Sequence, residues 1–144
     1  MQSEIISSPT APSASRTRIR AMGLASHRLE RVLHCIETRL AEPILLQELA
    51  AEIHMSPFHF ARMFKLSTGH SPHAYLTVQR MERAKRLLAD SPLSLAEVAN
   101  RIGYQTQAHF TGVFHRQVGT TPKVYRDRHR VQAASTELSQ VSRV

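Results

Sequence analysis

Phe58, Arg62 and Lys65 place an aromatic ring, a guanidinium and an ammonium within eight residues of the sequence. At about 100° per residue they share one side of a helix. The opposite side carries apolar residues that are expected to enter the core: Phe60, Met63 and Phe64. On the polar side, Arg62 can donate two hydrogen bonds to guanine, Phe58 can contact a thymine methyl group, and Lys65 suits a phosphate. This side therefore has the chemistry to bind a nucleic acid, with His59 and Ala61 flanking it.

An ordinary solvated surface would also carry Arg62 and Lys65, because most charged side chains face water. That explanation does not account for Phe58, an aromatic residue that the same helical geometry places outside.

A second group of polar residues surrounds the start of a later helix, at Gln105, Thr106 and Gln107. Together with the unbonded N–H groups at a helix start, these side chains can reach phosphate or adenine edges. His115 and Arg116 follow on the same helix as candidate phosphate ligands. A polar N-terminal turn without any binding role is the alternative for Gln105, Thr106 and Gln107.

The composition favours an anionic partner. Nineteen Lys and Arg against eleven Asp and Glu give a formal net charge of +8, which attracts nucleic acid and, as an alternative, an anionic membrane surface. No apolar run approaches the roughly 18 residues that span a bilayer, and no secretory signal is recognisable. The single cysteine, Cys35, and the lack of a zinc-spaced Cys/His cluster predict a cytoplasmic protein without metal, cofactor or internal disulfide.

Seven helices are predicted, and no segment alternates with the period of a strand, so the expected class is all-α. Ser56-Pro57, Ser71-Pro72 and Thr121-Pro122 are typical helix openings, and Gly69 and Gly119 are typical helix ends. Ser94 and Glu97 match a capping box. Residues 1–25 are expected to be a disordered arm, residues 26–131 the folded domain, and residues 132–144 a flexible tail.

Two segments of the chain repeat each other. Glu48, Ala50 and Ile53 recur 49 residues later as Glu97, Ala99 and Ile102. From the next residue the shift is 50: the pattern His59-Phe60, Phe64, Gly69, Pro72, Tyr75 returns as His109-Phe110, Phe114, Gly119, Pro122, Tyr125. Each copy has a short helix, a tight turn and a second helix, which is the arrangement of a helix-turn-helix. Gly103 stands in the second turn where a positive φ is expected, and His54 takes its place in the first.

The second copy resembles the signature segment of the AraC/XylS family of bacterial transcription regulators. The resemblance rests on Ala99-Asn-Arg-Ile-Gly-Tyr104, His109-Phe110, Phe114, Gly119-Thr-Thr-Pro122 and Tyr125-Arg126, and it extends over about residues 28–130. It implies two helix-turn-helix subdomains, at about 45–69 and 94–119, joined by a long central helix. It also implies sequence-specific binding of two successive major-groove segments, and many members activate transcription by contacting RNA polymerase. Relatives often have a long basic side chain where this chain has Gly112.

The resemblance and the residues together predict a transcription regulator, expected to be an activator that binds double-stranded DNA as a monomer. Such a chain would be a small stand-alone regulator or a truncated one. An enzyme is disfavoured because the nine histidines form no catalytic constellation. A module that binds only protein, or an anionic membrane, could share the charge but would not need the repeat. The helix before the second copy also carries a basic band, Arg80, Arg83, Lys85 and Arg86, that could contact phosphate or simply face solvent.

Overall fold

The computed structural model describes residues 23–141, and within that range the chain forms seven helices and no strand. The predicted all-α class is confirmed. In chain order the helices are α1 (Ser26–Thr38), α2 (Leu46–Glu52), α3 (Pro57–Thr68), α4 (Pro72–Asp90), α5 (Leu95–Arg101), α6 (Gln107–Val118) and α7 (Pro122–Val141).

The first and last residues of α3 and α6 follow from their capping residues. Ser56 Oγ accepts a hydrogen bond from the backbone N–H of His59 at the start of α3, at 3.4 Å. Thr106 Oγ1 accepts one from His109 N–H at the start of α6, at 3.1 Å. Gly69 and Gly119 end these helices in the left-handed conformation, as their positions predicted.

The predicted capping box of α5 is confirmed. Ser94 N–H donates to a Glu97 carboxylate oxygen at 2.7 Å, and Glu97 N–H donates to Ser94 Oγ at 3.1 Å. In α2 the equivalent first position is Leu45, whose side chain has no acceptor. Only half of the box therefore forms there, the bond from Leu45 N–H to Glu48 at 2.9 Å.

The N-terminal boundary differs from the sequence prediction. Most of the predicted disordered arm, residues 1–22, lies outside the described residues, but Gly23 and Leu24 lie inside them. Leu24 is buried, and its N–H donates to Ser67 Oγ on α3 at 2.7 Å. Gly23 approaches the same residue so closely that a Cβ at this position would lie 2.2 Å from Ser67 Oγ. The folded part of the chain thus begins before Ser26.

The C-terminal boundary also differs from the prediction. Residues 132–141, expected to belong to a flexible tail, continue α7 as helix to Val141. The physical reason lies in the sequence: neither glycine nor proline follows Pro122 in the chain, and the residues after Arg130 include good helix formers such as alanine, glutamine and glutamate. The polar composition after Arg130 therefore did not indicate where α7 ends.

The chain divides into two compact units. The first contains Leu45–His73 and the described residues up to Cys35. In this unit α2 packs against α3, and the rings of Phe60 and Phe64 lie 5.5 Å apart. Its buried apolar residues are Leu24, Val32, Leu49, Ala50, Ile53, Phe60 and Phe64.

The second unit contains Ile36–Ile44 and the described chain from Ala74 onward. Here α6 packs against both α5 and α7. Its core joins residues of α4, α5 and α6 with the turn between the last two: Met81, Ala84, Leu88, Val98, Ala99, Ile102, Tyr104, Phe110, Val113 and Phe114. Across residues 23–141, no helix has the length and apolarity needed to cross a membrane.

Candidate nucleic-acid interface

The two helix pairs are linked by the same backbone turn. In the first, Met55 N–H donates to Ala50 O at 2.9 Å and His54 N–H to Ala51 O at 3.1 Å. In the second, Tyr104 N–H donates to Ala99 O at 2.9 Å and Gly103 N–H to Asn100 O at 3.1 Å. This pair of bonds is a Schellman motif, which requires a left-handed residue at its second-to-last position. His54 and Gly103 occupy that position with φ of 57° and 96°, as the sequence predicted.

On α3 the exposed and buried sides have the predicted phase. Phe60 and Phe64 are buried and Met63 is half-buried, whereas His59, Arg62 and Lys65 are exposed. Phe58 is 82% exposed, more than any other exposed large apolar residue among the described ones. Ala61, on the flank of this side, is half-buried. We call Phe58, His59, Ala61, Arg62 and Lys65 the α3 face.

The exposed side of α6 has a different chemistry. Gln105, Gln107, His115 and Arg116 are all exposed. Thr106 is exposed as well, but its hydroxyl oxygen is already used to cap the helix through His109 N–H. The hydroxyl can still donate its hydrogen to a ligand, or accept one further hydrogen bond through its second lone pair. We call Gln105, Thr106, Gln107, His115 and Arg116 the α6 face.

Between the two ends of the α6 face, two exposed positions of the helix carry little or no side chain. Ala108 and Gly112 are exposed, and a Cβ added at Gly112 would have no heavy atom within 4 Å. The helix thus has room for a side chain at this position and does not carry one. Phe110, Val113 and Phe114 fill the buried side, as predicted.

Among residues 23–141, the arginine and lysine side chains of both faces have no acidic partner. Arg31 pairs with Glu52 at 3.6 Å, Arg39 with Glu42 at 2.9 Å and Lys85 with Glu82 at 2.8 Å. Within residues 23–141, none of the ion pairs involves Arg62, Lys65 or Arg116. Their charge is therefore available to an external anion such as phosphate.

The basic band on α4 divides into residues with different surroundings. Arg83 and Arg86 are exposed, and Lys85 is paired with Glu82. Arg80 is half-buried: its Nε donates to Leu40 O and one of its terminal nitrogens donates to Glu42 O, each at 2.9 Å. The sequence offered two interpretations of Arg80, a phosphate contact or a solvated side chain. In the structure its guanidinium instead bonds two backbone carbonyls.

Arg80 also borders the turn before α6. Its guanidinium carbon lies 5.5 Å from the centre of the Tyr104 ring, a cation–π distance. The Tyr104 ring meets the His109 ring edge to face, with 5.1 Å between centroids. Burial raises the pKa of the Tyr104 phenol, and the nearby positive charges of Arg80 and Arg116 partly oppose that rise.

The described residues show no group of three or more His, Cys, Asp or Glu side chains placed to hold a metal ion. The chemistry that the two faces do offer is hydrogen bonding, apolar contact and positive charge.

Comparison with known proteins places this chain among helix-turn-helix regulators. A family described as a helix-turn-helix domain matches residues 49–128. The regulatory protein PocR of Salmonella typhimurium is 30% identical over 101 residues, which are 70% of this chain and 33% of PocR. The uncharacterized HTH-type transcriptional regulator YobQ of Bacillus subtilis is 33% identical over 104 residues, 72% of this chain and 43% of YobQ. The chain thus spans less than half the length of these two relatives.

Among solved structures, the DNA-binding domain of the global transcriptional factor AdpA, crystallised with a target DNA, is 36% identical with a TM-score of 0.70. The alignment covers 73% of this chain and 95% of that domain. The similarity therefore extends over nearly all of a domain that was solved on DNA.

Proposed function

We propose that this chain, which belongs to the AraC/XylS family of transcription regulators, binds double-stranded DNA sequence-specifically through its α3 and α6 faces. The observation that carries the proposal is the pair of helix-turn-helix units. In each, the second helix buries a phenylalanine pair and turns polar or basic residues outward. A helix with this exposed surface fits the major groove.

The α3 face supplies most of the base discrimination in this proposal. Arg62 donates two hydrogen bonds to the O6 and N7 atoms of one guanine, and Phe58 packs against a thymine methyl group. Lys65 neutralises a phosphate, and His59 and Ala61 border the contact. The exposure of Phe58 supports this role, because removing an exposed apolar ring from water stabilises the complex that covers it.

The α6 face mainly sets the position of the protein on the duplex. Gln105, Thr106 and Gln107 reach phosphate or adenine edges from the helix start, while His115 and Arg116 contact phosphate. The bare surface at Gly112 leaves the middle of α6 without a side chain that could donate to a base.

The remaining parts of the proposal rest on the two reading helices in one chain, on the single cysteine and, for activation, on the family. One monomer binds two major-groove segments about one helical turn apart, in the cytoplasm, and activates transcription by contacting RNA polymerase. Both reading helices belong to a single chain, so a non-palindromic site suffices.

Selection of bound sequences from random duplexes, followed by footprinting, tests the proposal. We expect two protected segments about one helical turn apart and a complex with one chain per duplex. Protection of a single half-turn, or binding only as a dimer on an inverted repeat, would contradict it. In vitro transcription from a promoter that carries the selected site then measures the sign of regulation.

A matched pair of double variants distinguishes base recognition from nonspecific electrostatic attraction. Arg62→Ala with Lys65→Ala removes two cations from α3, and Arg83→Ala with Arg86→Ala removes two exposed cations from α4. The first pair should weaken binding and relax the selected preference at one base pair. The second pair should preserve the selected sequence. If both pairs reduce DNA affinity equally and neither changes the selected sequence, the binding is a nonspecific attraction to polyanions.

A further inference from the structure

We propose that Arg80, a residue outside both faces, positions the start of α6 and thereby the contacts that Gln105, Thr106 and Gln107 make. This inference rests on the proposed DNA binding for its functional part. Its structural part concerns contacts inside the second unit alone.

The first step is the anchoring of the guanidinium. Two of its N–H groups, on Nε and on a terminal nitrogen, donate to the carbonyls of Leu40 and Glu42 at 2.9 Å. An arginine fork that donates to two fixed acceptors has a defined plane, which a single-point ammonium lacks. Arg80 is thus held at a defined place beside α4.

The second step is the contact between the guanidinium and the turn before α6. The Tyr104 ring lies under the guanidinium carbon at 5.5 Å. A Cβ at Gly103 would stand 2.8 Å from a terminal nitrogen of Arg80 and 3.1 Å from the carbonyl oxygen of Ala41. The turn therefore fits so closely against Arg80 that a methyl group at residue 103 would displace either the turn or the guanidinium.

The third step leads from the turn to α6. Tyr104 contacts His109 in the first turn of α6, with ring centroids 5.1 Å apart. Gln105, Thr106 and Gln107 lie between Tyr104 and His109 in the sequence, followed by Ala108. Fixing Tyr104 at one end and His109 at the other limits the path of the three residues that face the ligand. A small error in placing such a group is costly to recognition, because base-edge hydrogen bonds need defined distances and angles.

The test uses Arg80→Ala and Arg80→Lys, with Arg83→Ala as control. Arg83 lies on the same helix, is exposed, and its replacement removes the same charge. In the unbound proteins, NMR records the ring signals of Tyr104 and His109 and the hydrogen exchange of the Tyr104 amide, whose N–H is bonded to Ala99 O. We expect both Arg80 variants to shift the ring signals and speed the exchange, and Arg83→Ala to leave them as in the wild type.

The binding measurement follows the two halves of the selected site separately. Arg80→Ala should reduce base preference under α6 by about fivefold or more, the size expected for lost base contacts, and leave the preference under α3 unchanged. A global loss of stability would lower both alike. The log–log salt slope should stay as in the wild type, whereas loss of a phosphate contact would lower its magnitude by about one.

Each alternative outcome is decisive. Unchanged ring signals and exchange in Arg80→Ala would overturn the positioning role, whatever the DNA result. A smaller salt slope with intact base preference would make Arg80 a phosphate ligand. Full recovery in Arg80→Lys would show that charge, not the two-point geometry, matters.

If Arg80→Ala does not fold, Arg80→Lys alone decides, since it keeps the aliphatic stem and the charge. If no variant or wild-type protein binds DNA, the proposed function fails while the NMR comparison still tests the positioning.

Discussion

His54 and Gly103 occupy the same position of the two repeated turns, and both have a positive φ, 57° and 96°, although only one of them is glycine. A side chain at such a φ brings Cβ close to the backbone, which costs roughly 1–2 kcal/mol. The two turns thus share a shape and a hydrogen-bond pattern but differ in strain. The first turn, with His54, stores strain that the second avoids.

Exchanging the residue type at these two positions should have opposite effects on stability. His54→Gly relieves the strain but adds the conformational entropy of glycine, so we expect a net gain of about 0.5–1 kcal/mol. Gly103→Ala adds strain and brings a methyl group to 2.8 Å from Arg80, so we expect a loss of about 1–3 kcal/mol. Urea denaturation followed by circular dichroism measures both, and a stabilised Gly103→Ala would contradict the account of the second turn.

Arg62 and Arg116 should differ in what their removal does to DNA binding. Arg62→Ala should cost about 1–3 kcal/mol and relax the preference at one base pair, as expected for a lost bidentate guanine contact. Arg116→Ala should weaken all sequences alike. Competition binding against single-base-pair variants of the selected site measures both. A uniform loss with Arg62→Ala, or higher information content under α6 than under α3, would show that the roles are assigned wrongly.

The salt dependence of binding should report the phosphate contacts. The association constant of the wild type should fall steeply with salt, because binding releases counterions from DNA. Lys65→Ala should lower the magnitude of the log–log slope by about one and leave base preference intact. Phe58→Ala is the matched control on the same face, since it removes contact area without charge and should leave the slope unchanged. A wild-type slope near zero would exclude phosphate neutralisation as the main source of affinity.

Gly112 offers a test by gain of function. Gly112→Ala should stabilise α6 by about 0.5–1 kcal/mol, because glycine in a helix interior is unfavourable and the added methyl meets open space. Gly112→Lys should add a cation on the exposed side, tighten binding and steepen the salt slope by about one. The alanine variant controls for helix stability. Equal affinity of the lysine and alanine variants would indicate that this part of α6 does not approach DNA.

Glu97 should make the second unit sensitive to acid. The backbone N–H of Ser94, followed by its side chain, holds the pKa of the Glu97 carboxyl below its usual 4.5. A lowered folded-state pKa means that the charged form stabilises the fold. That contribution is present above about pH 4.5 and is lost as pH falls through the lower folded-state value. Glu97→Gln keeps an acceptor for Ser94 N–H but has no charge.

The stability difference between wild type and Glu97→Gln should therefore be largest near neutral pH and shrink below pH 4.5, the usual value of this carboxyl. Thermal melts at several pH values measure it, with Glu30→Gln on α1 as the control for charge removal at an exposed position. A difference that does not change with pH would argue against a role for the carboxylate charge in the cap.

The local features of the fold were predictable because they depend on residues close together in the sequence. Ser56, Gly69 and the Ser94–Glu97 pair act over three or four residues, and helical periodicity placed Phe60 inside and Phe58 outside. The internal repeat added the turn geometry of His54. The binding roles of the α3 and α6 faces follow from the same periodicity and stay predictions.

Long-range features were not predictable by these rules. Arg80 donates to carbonyls 40 and 38 residues away, and Arg126 donates to those of Leu88 and Leu93. Backbone carbonyls are present at every residue, so no residue type marks the acceptor in advance. The hydrogen bond from Leu24 N–H to Ser67 Oγ was missed for a similar reason, since it joins residues 43 positions apart and no residue type marks it in advance.

The distribution of aromatic residues gives the two units different optical properties. The chain has no tryptophan, and its three tyrosines are Tyr75, Tyr104 and Tyr125, all within the second unit. Tyrosine fluorescence therefore follows the unfolding of that unit alone, whereas far-ultraviolet circular dichroism follows helices of both. Coincident transitions would mean that the two helix-turn-helix units unfold together, and separated ones that they unfold independently. The wild-type chain thus carries its own probe of cooperativity between the units, with no label to attach.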